Sequence, residues 1–323
     1  MKLEKLRDEA ERIIKQISSV VVGEELLFTK LLCASLANGH VLFEDYPGLG
    51  KTLLVKMFGR TVGGDWKRIQ FTPDLMPADI LGTRIWKSGS SEFVFEKGPI
   101  FTNFLLADEI NRSPPKTQSA LLEAMEERQV TIEGTTHTLK QPFFVMATQN
   151  PIEMEGTYPL PEAQVDRFYM KLSAGYVSSL QKESQILKRR IDWKKDDPTN
   201  TIEPAVDMET FGSMQETVEN DIFVDQQILD YIATIVRLTR EHQMVEVGSS
   251  PRGGLALVKL SRAMAAISGR DYVIPDDIKL FSRDALSHRI ILNIENLLEG
   301  VPPVSVVDEV ISKVEAPKEV ARK

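Results

Sequence analysis

A glycine-rich segment, FEDYPGLGKT at residues 43–52, has the residue types and spacing that bind phosphate groups. Backbone N–H groups at residues 48–52 can converge on a phosphate at the start of a helix, and glycine lets the backbone approach closely. Lys51 would supply a positive charge, and Thr52 a hydroxyl ligand for Mg²⁺. Asp45 stands where the full pattern G-x-x-x-x-G-K-[S/T] has glycine, and aspartate is a residue type that tolerates a left-handed backbone. The segment predicts a phosphate-binding loop, and the alternative is a glycine-rich turn without a ligand.

Two adjacent acids end a later apolar stretch, NFLLADEINR at residues 103–112. Asp108 would hold Mg²⁺ directly or through water, and Glu109 would polarise an attacking water molecule. A buried strand that ends in adjacent acids is costly unless a cation or hydrogen-bond donors meet them. Solvation of the strand end is the alternative, and the phosphate loop upstream makes it the weaker one.

Three more polar residues sit at the ends of predicted elements. In FFVMATQNP (143–151), Asn150 could orient a water molecule or touch a terminal phosphate, although Asn-Pro is also a common turn. Arg167 precedes the last predicted strand, and Arg252 in SPRGG (250–254) begins a predicted helix. Both arginines could stabilise charge on a transferring phosphoryl group. Either one taken alone is more often part of a surface ion pair.

Short apolar runs alternate with helical patterns in the first half of the chain and would position these residues. The runs are apolar throughout, as expected for strands buried on both faces of a parallel sheet. Five strands are predicted, at residues 40–44, 68–72, 103–108, 143–149 and 168–172. Two inserts, 83–96 and 129–138, are predicted hairpins with turns near a Ser-Gly-Ser sequence and near Gly134. Two helices are predicted before the first strand, an amphipathic one from Leu3 to Ile17 and a second at residues 24–38.

From about residue 178 the pattern becomes helical only, with helices predicted at residues 179–192, 207–219, 225–243, 252–269 and 275–290. The predicted fold class is α/β, with a five-stranded parallel sheet followed by a small all-helical domain. The expected divisions are an α/β domain with the N-terminal helices and both hairpins at 1–177, a helical domain at 178–295 and a peripheral C-terminal tail at 296–323.

Overall composition limits the class of protein. The chain has 323 residues, of which 42% are hydrophobic and 27% are charged, as in a globular protein. About two domains are expected at roughly 150 residues per domain. The formal charge of −8 argues against a protein that mainly coats nucleic acid. No His/Cys cluster has the spacing of zinc ligands.

Cellular context is suggested by three further features. No apolar run approaches the ~18 residues that a membrane span needs. The first residues, MKLEKLRDEAERIIKQ, lack the apolar core of a signal peptide. Cys33 is the single cysteine, and a single cysteine fits a reducing compartment. Its apolar neighbours indicate a small core residue. We therefore expect a cytoplasmic protein without a membrane span.

Together the motifs resemble those of AAA+ ATPases of the MoxR family. The resemblance extends over roughly residues 20–290 and is carried by the segments DYPGLGKT, GPIFTNFLLADEINRSPPKTQSALLEAMEERQV, ATQNPIEMEGTYPLPEAQVDRF and SPRGGLALVKLSRAMAAISGRDYVIPDDI. It implies an AAA+ core and a helical lid with ATP and Mg²⁺ between them. It also implies a ring, usually a hexamer.

The resemblance assigns roles residue by residue. Lys51 and Thr52 match the Walker A pair, and Asp108 and Glu109 the Walker B pair, with Asp108 and Thr52 as the Mg²⁺ ligands. Asn150 matches sensor 1, Arg167 the arginine finger that serves a neighbouring subunit, and Arg252 the sensor 2 that reaches the nucleotide from the lid. Arg112 matches a position near the subunit interface and receives no firm role. The nucleotide-binding residues implied are Val22, Gly23, Pro47, Gly48, Leu49, Gly50, Lys51 and Thr52. The inserts at 83–96 and 129–138 match the helix-2 insert and the pre-sensor-1 hairpin.

Three classes of function follow for comparison. The leading hypothesis is an ATP-hydrolysing ring that remodels or matures protein complexes, in some relatives together with a protein that carries a von Willebrand factor A domain. A nucleic-acid-stimulated motor or loader is the alternative, although the basic cluster at residues 182–195 reads better as a solvated helix face. A nucleotide switch without hydrolysis is disfavoured by the joint presence of Lys51, Asp108, Glu109, Asn150 and Arg167.

Overall fold

A computed structural model describes residues 1–46, 48–89, 91–151, 156–194, 197–199 and 202–318. In chain order the strands are β1 (Val41–Glu44), β2 (Trp66–Gln70), β3 (Gly82–Lys87), β4 (Glu92–Lys97), β5 (Phe104–Asp108), β6 (Gln129–Ile132), β7 (Thr135–Thr138), β8 (Phe144–Gln149), β9 (Met170–Leu172), β10 (Val245–Val247) and β11 (Ile291–Leu292). The helices are α1 (Leu3–Val20), α2 (Glu25–Leu36), α3 (Lys51–Thr61), α4 (Pro77–Leu81), α5 (Pro115–Glu127), α6 (Glu162–Val165), α7 (Leu180–Trp193), α8 (Met208–Asn220), α9 (Gln226–Glu241), α10 (Pro251–Ile267), α11 (Pro275–Leu286), α12 (Ile294–Leu298) and α13 (Pro303–Lys313).

A five-stranded parallel sheet, in the order β2-β5-β8-β1-β9, forms the centre of the first half of the chain. Alternate residues of each central strand enter different apolar clusters. In β1, Val41 and Phe43 join the cluster on one face and Leu42 joins that on the other. Burial on both faces explains why these strands are unbroken apolar runs in the sequence. The predicted α/β fold class with a parallel sheet is confirmed.

Two antiparallel hairpins, β3–β4 and β6–β7, lie outside this sheet where the sequence predicted inserts. Gly98 allows the first hairpin to close against the end of α4. A Cβ built on Gly98 would lie 2.2 Å from the Ile80 carbonyl oxygen, so a side chain there would force the backbone apart. The hairpin is therefore held close to the core by a backbone contact that only glycine permits.

Side-chain caps start most of the long helices after residue 178. Ser179, Asp207, Asp225 and Ser250 each accept a hydrogen bond from a backbone N–H in the first turn of α7, α8, α9 and α10. These helices begin within one residue of their predicted starts. The helical region also contains the short antiparallel pair β10–β11, which the pattern did not predict because its strands are only two or three residues long.

The expected peripheral tail at 296–323 differs from the structure. Helix α13 buries Val306, Val307 and Val310, and it packs against α9 and α11. The spacing of these three valines places them on one helix face, and burying that face makes α13 part of the helical domain's core.

The N-terminal helix α1 connects the two parts of the chain. Its buried face, which includes Leu6, Ala10 and Ile13, packs against α2, α3 and the lid helix α10. One continuous apolar cluster therefore extends from the sheet into the helical domain. Among the described residues, no helix is both long and apolar enough to cross a membrane.

Candidate functional site

The phosphate loop connects the end of β1 to the start of α3. Gly48 and Gly50 have positive φ angles of 85° and 75°, and Gly50 is the residue that precedes the first turn of α3. Glycine suits both positions because side chains rarely adopt this left-handed backbone. Pro47, also expected to contact the nucleotide, lies outside the described residues.

Lys51 is directed back over its own loop. Its Nζ donates hydrogen bonds to the carbonyl oxygens of Asp45 (3.2 Å) and Tyr46 (3.0 Å). Burial lowers the pKa of Lys51, and the nearby carboxylates of Asp45, Asp108 and Glu109 oppose that shift. The ammonium group is thus half-buried among acids, where a phosphate group would be well placed to meet it.

A cleft of about 420 Å³ brings most of the predicted residues together. The residues that line it come from the ends of three neighbouring strands, from the phosphate loop and from β2. They are Asp45, Gly48, Leu49, Gly50, Lys51, Thr52, Leu53, Arg68, Asp108, Glu109, Thr148, Gln149 and Asn150. The carboxyl ends of parallel strands face one edge of a sheet, so residues far apart in sequence meet there.

The two acids at the end of β5 are held by different partners. Asp108 Oδ1 accepts a hydrogen bond from Thr148 Oγ1 (2.7 Å), and Oδ2 accepts one from Arg68 Nη2 (2.7 Å). The Glu109 backbone has a φ of 57°, and its N–H donates to Thr148 Oγ1 (2.8 Å). The left-handed backbone at Glu109 sets its side chain apart from that of Asp108, and such strain is common at functional sites.

The Glu109 carboxylate lies between two donors. Its Oε2 accepts hydrogen bonds from Gln70 Nε2 (2.7 Å) and from Arg112 Nη1 (3.1 Å). The sequence reasoning gave Arg112 no firm role, and the structure places it against Glu109. Asn150 is buried at the rim of the same cleft.

Arg68, Gln70 and Thr148 were missed as site residues. Arg68 and Gln70 lie on β2, and Gln70 is directly opposite Asp108 in the strand register. The available signal was that two polar residues alternate along a predicted strand, which places both side chains on one face. The sequence could not show that this face borders the acidic pair.

A second, more apolar pocket of about 310 Å³ adjoins the phosphate loop. Val22 and Gly23, which the resemblance assigned to the adenine side, line it together with Leu49, Tyr176 and Val177. Residues 48–51 border both this pocket and the acidic cleft. The two spaces therefore meet at the phosphate loop, as a nucleotide's base and phosphates would require.

Arg167 and Arg252 lie elsewhere, at the junction of the α/β domain with the helical domain. Both pair with Glu126 of α5: Arg167 Nη1 is 2.6 Å from its Oε2, and Arg252 Nη2 donates to its Oε1. Next to them, Asp166 accepts hydrogen bonds from Ser250 Oγ (2.9 Å) and from Arg289 Nε (2.7 Å). One carboxylate thus holds the two predicted arginines side by side.

Arg252 was expected to reach the nucleotide from the lid, and in this structure its side chain pairs with Glu126 at the junction of the two domains. It lines a pocket of about 250 Å³ with Arg167, and within the described chain neither arginine lines the acidic cleft or the apolar pocket. The reason is the packing of α10 against α1 and α2, which directs its first turn to Glu126 instead of the phosphate loop.

Comparison with known proteins agrees with this architecture. Residues 40–170 match the model of the ATPase family associated with various cellular activities (AAA), and residues 237–310 match the AAA lid domain. The chain is 48% identical to the uncharacterized protein YeaC of Bacillus subtilis, over 95% of this chain and 94% of that one. It is 43% identical to Chaperone MoxR1 of Mycobacterium tuberculosis, over 95% and 82% of the two chains.

A solved structure extends the likeness to three dimensions. A crystal structure of a candidate ATPase from Cytophaga hutchinsonii superposes with a TM-score of 0.91 at 40% identity, covering 98% of this chain and 97% of the other. The match includes both the sheet and the helical lid, since it covers nearly all of each chain. With a phosphate loop, an acidic strand end and a lid in the expected order, this chain belongs to the MoxR family of AAA+ ATPases.

Proposed function

We propose that this protein binds ATP with Mg²⁺ and hydrolyses it to ADP and phosphate. We also propose that the active form is a hexameric ring of identical subunits. The observation that carries the proposal is the shared cleft, in which Lys51 and Thr52 face the acids Asp108 and Glu109 beside an apolar pocket. Phosphates suit the first space and an adenine ring the second.

The residues of the cleft fit a magnesium ion. The Thr52 hydroxyl and the Asp108 carboxylate supply the hard oxygen ligands that Mg²⁺ prefers, and both border the cleft. When bound, the ion would neutralise phosphate charge and help to orient the terminal phosphate. Thr148 Oγ1 holds one oxygen of Asp108, and the ion would take the place of Arg68 at the other.

The chain's own groups would then perform the remaining steps. Backbone N–H groups of residues 48–52 and the Lys51 ammonium would hold the phosphates. Glu109 would accept a proton from the attacking water, and Asn150 would help to position that water or the terminal phosphate. Gln70 and Arg112, which both donate to Glu109, would set the direction of its carboxylate.

The two arginines are proposed to act on the ATP of a neighbouring subunit. Arg167 and Arg252 are held together by Glu126 and lie outside the lining of their own cleft. An arginine supplied from a neighbour stabilises charge in the transition state, so hydrolysis would require assembly. This arrangement connects each catalytic event to a subunit contact.

We propose that the ring uses this energy to remodel or mature protein complexes in the cytoplasm. The likeness to Chaperone MoxR1 of Mycobacterium tuberculosis supports a chaperone-like role. A protein with a von Willebrand factor A domain is the partner that the family resemblance favours.

Steady-state phosphate release by the assembled protein tests the activity. The wild-type chain should release phosphate with ATP and Mg²⁺, and Lys51→Ala should abolish or severely weaken ATP binding because the loop loses its cation. A fluorescent ATP analogue measures that binding directly. Unchanged affinity in Lys51→Ala would show that the loop is not the nucleotide site.

A further inference from the structure

Asp45 is a departure from the general phosphate-loop pattern, and its backbone does not explain the departure. Its φ angle is not among the positive values of the described residues, so a left-handed conformation is not what the position requires. Asp45 is almost fully buried, with 4% of the residue's surface exposed. A buried carboxylate is costly unless donors surround it, so its partners should reveal its role.

The partners lie on the chain segment that leaves the neighbouring strand. Strands β1 and β9 pair in parallel, so residues 45–46 and 173–176 leave the sheet side by side. The Asp45 carboxylate accepts hydrogen bonds from Ser173 Oγ (2.7 Å), from the Ala174 N–H (2.7 Å) and from the Gly175 N–H (3.3 Å). One residue on, the rings of Tyr46 and Tyr176 stack with centroids 6.2 Å apart.

Residues 45–46 belong to the phosphate-binding cleft, and the segment after β9 belongs to the apolar pocket. The carbonyl oxygens of Asp45 and Tyr46 accept from Lys51 Nζ, which belongs to the phosphate side. Residues 174–177 line the apolar pocket, which belongs to the base side. The hydrogen bonds of Asp45 therefore connect the phosphate loop to residues 174–177, which form one wall of the apolar pocket.

We infer that Asp45 is a positioning residue that sets the base-side wall, residues 174–177, relative to the phosphate loop and so determines how tightly the nucleotide base is held. The inference rests on the proposed function, since it assumes that a nucleotide occupies both spaces. Glycine at this position would leave two N–H groups without their acceptor. Asparagine could not replace the charge or all three bonds, because its amide nitrogen is itself a donor.

The test compares a ligand that has a base with one that lacks it. Calorimetry measures the binding of ADP and of inorganic tripolyphosphate, each with Mg²⁺, to wild type and to Asp45→Asn. Affinity for ADP should fall about tenfold or more, since a charge-assisted acceptor is lost. Affinity for tripolyphosphate should stay the same or rise, because the phosphate loop keeps its own N–H groups and Lys51, and the cleft loses the negative charge of Asp45 near Lys51.

Two further variants keep the outcome interpretable. Ser173 is exposed, and Ser173→Ala removes one of the three hydrogen-bond donors to Asp45. This variant should weaken ADP binding about threefold. If Asp45→Asn does not fold, this variant decides the question. Glu44→Gln is the matched control. The Glu44 carboxylate pairs with Lys171 across the same two strands (2.7 Å), whereas the described hydrogen bonds from residues 173–175 go to Asp45, so ADP binding should stay at the wild-type value.

Equal losses of ADP and tripolyphosphate affinity in Asp45→Asn, or unchanged ADP affinity, would overturn the role of Asp45 while leaving the nucleotide site in place. Failure of the wild-type chain to bind ADP would instead remove the proposed function itself.

Discussion

Replacing Arg167 with alanine distinguishes a catalytic role from a structural one, because the two roles predict hydrolysis rates that differ by orders of magnitude. The side chain is about one-third exposed and pairs with Glu126, which is also about one-third exposed. An ion pair this exposed contributes about 0–1 kcal/mol to the free energy of unfolding. An arginine that reaches a neighbour's transferring phosphate contributes ~10³–10⁵-fold to the hydrolysis rate, or about 4–7 kcal/mol of transition-state stabilisation.

We therefore expect Arg167→Ala to fold, to bind ATP nearly as tightly as wild type and to lose hydrolysis by at least about a thousandfold. Glu126→Gln is the control, because it removes the ion pairs of Glu126 with Arg167 and with Arg252 but keeps both arginines. Its hydrolysis rate should fall by less than about tenfold, in keeping with the loss of partly exposed ion pairs. Phosphate release, fluorescent-nucleotide titration and urea unfolding provide the three measurements.

Mixing subunits then tests from which chain the arginine acts. Arg167→Ala retains an intact phosphate loop, and Lys51→Ala retains an intact Arg167. In a mixed ring some contacts combine an intact loop with an intact arginine, so activity should return in part. If mass spectrometry shows that mixed rings form and no activity returns, the assignment to the neighbouring subunit is wrong.

The remaining predictions use other parts of the structure. Because Arg252 shares Glu126 with Arg167, a mixture of Arg252→Ala and Lys51→Ala subunits should also recover phosphate release, and no recovery in proven mixed rings would return Arg252 to its own subunit's site. Glu109→Gln should keep ATP affinity but slow phosphate release by ~10²-fold or more, since the amide cannot accept a proton from water, and a wild-type rate would exclude Glu109 as the base. Burial and the nearby Arg128 hold the pKa of His40 well below its usual value, and its Nδ1 accepts a hydrogen bond from the Val145 N–H (3.0 Å). His40 is therefore neutral in the folded protein. Its contribution to the free energy of unfolding is present above about pH 6.5. That contribution is lost as the pH falls below this value, because the unfolded chain then binds a proton that the folded chain does not. Urea unfolding at pH 7.5 and pH 5.5 should show this loss, His40→Gln should reduce it, and an equal slope in that variant would contradict the assignment.

Much of the cleft was predictable from sequence because the elements that form it are local. The strands β1, β5 and β8 are mostly apolar, and residues of the cleft lie at their carboxyl ends or beyond them: Lys51 after β1, Asp108 at the end of β5 and Asn150 after β8. Since parallel strands end at one edge of a sheet, the order of motifs along the chain was enough to predict that these three side chains share a site. Helix starts were equally predictable because a capping side chain acts on its own first turn.

The tertiary structure alone decided which distant residues complete the site. Arg68 and Gln70 reach Asp108 and Glu109 only because β2 pairs with β5, and a pairing register is not encoded in either strand alone. The acceptors around Asp45 and the placement of Arg252 at Glu126 depend in the same way on contacts between segments 80 or more residues apart in the chain. Sequence patterns report the periodicity and the local hydrogen bonds of one segment, whereas these contacts depend on how whole elements pack together. The sequence by itself thus determined the elements and the motifs at their ends, and the packing of strand on strand and of lid on core decided which charges meet.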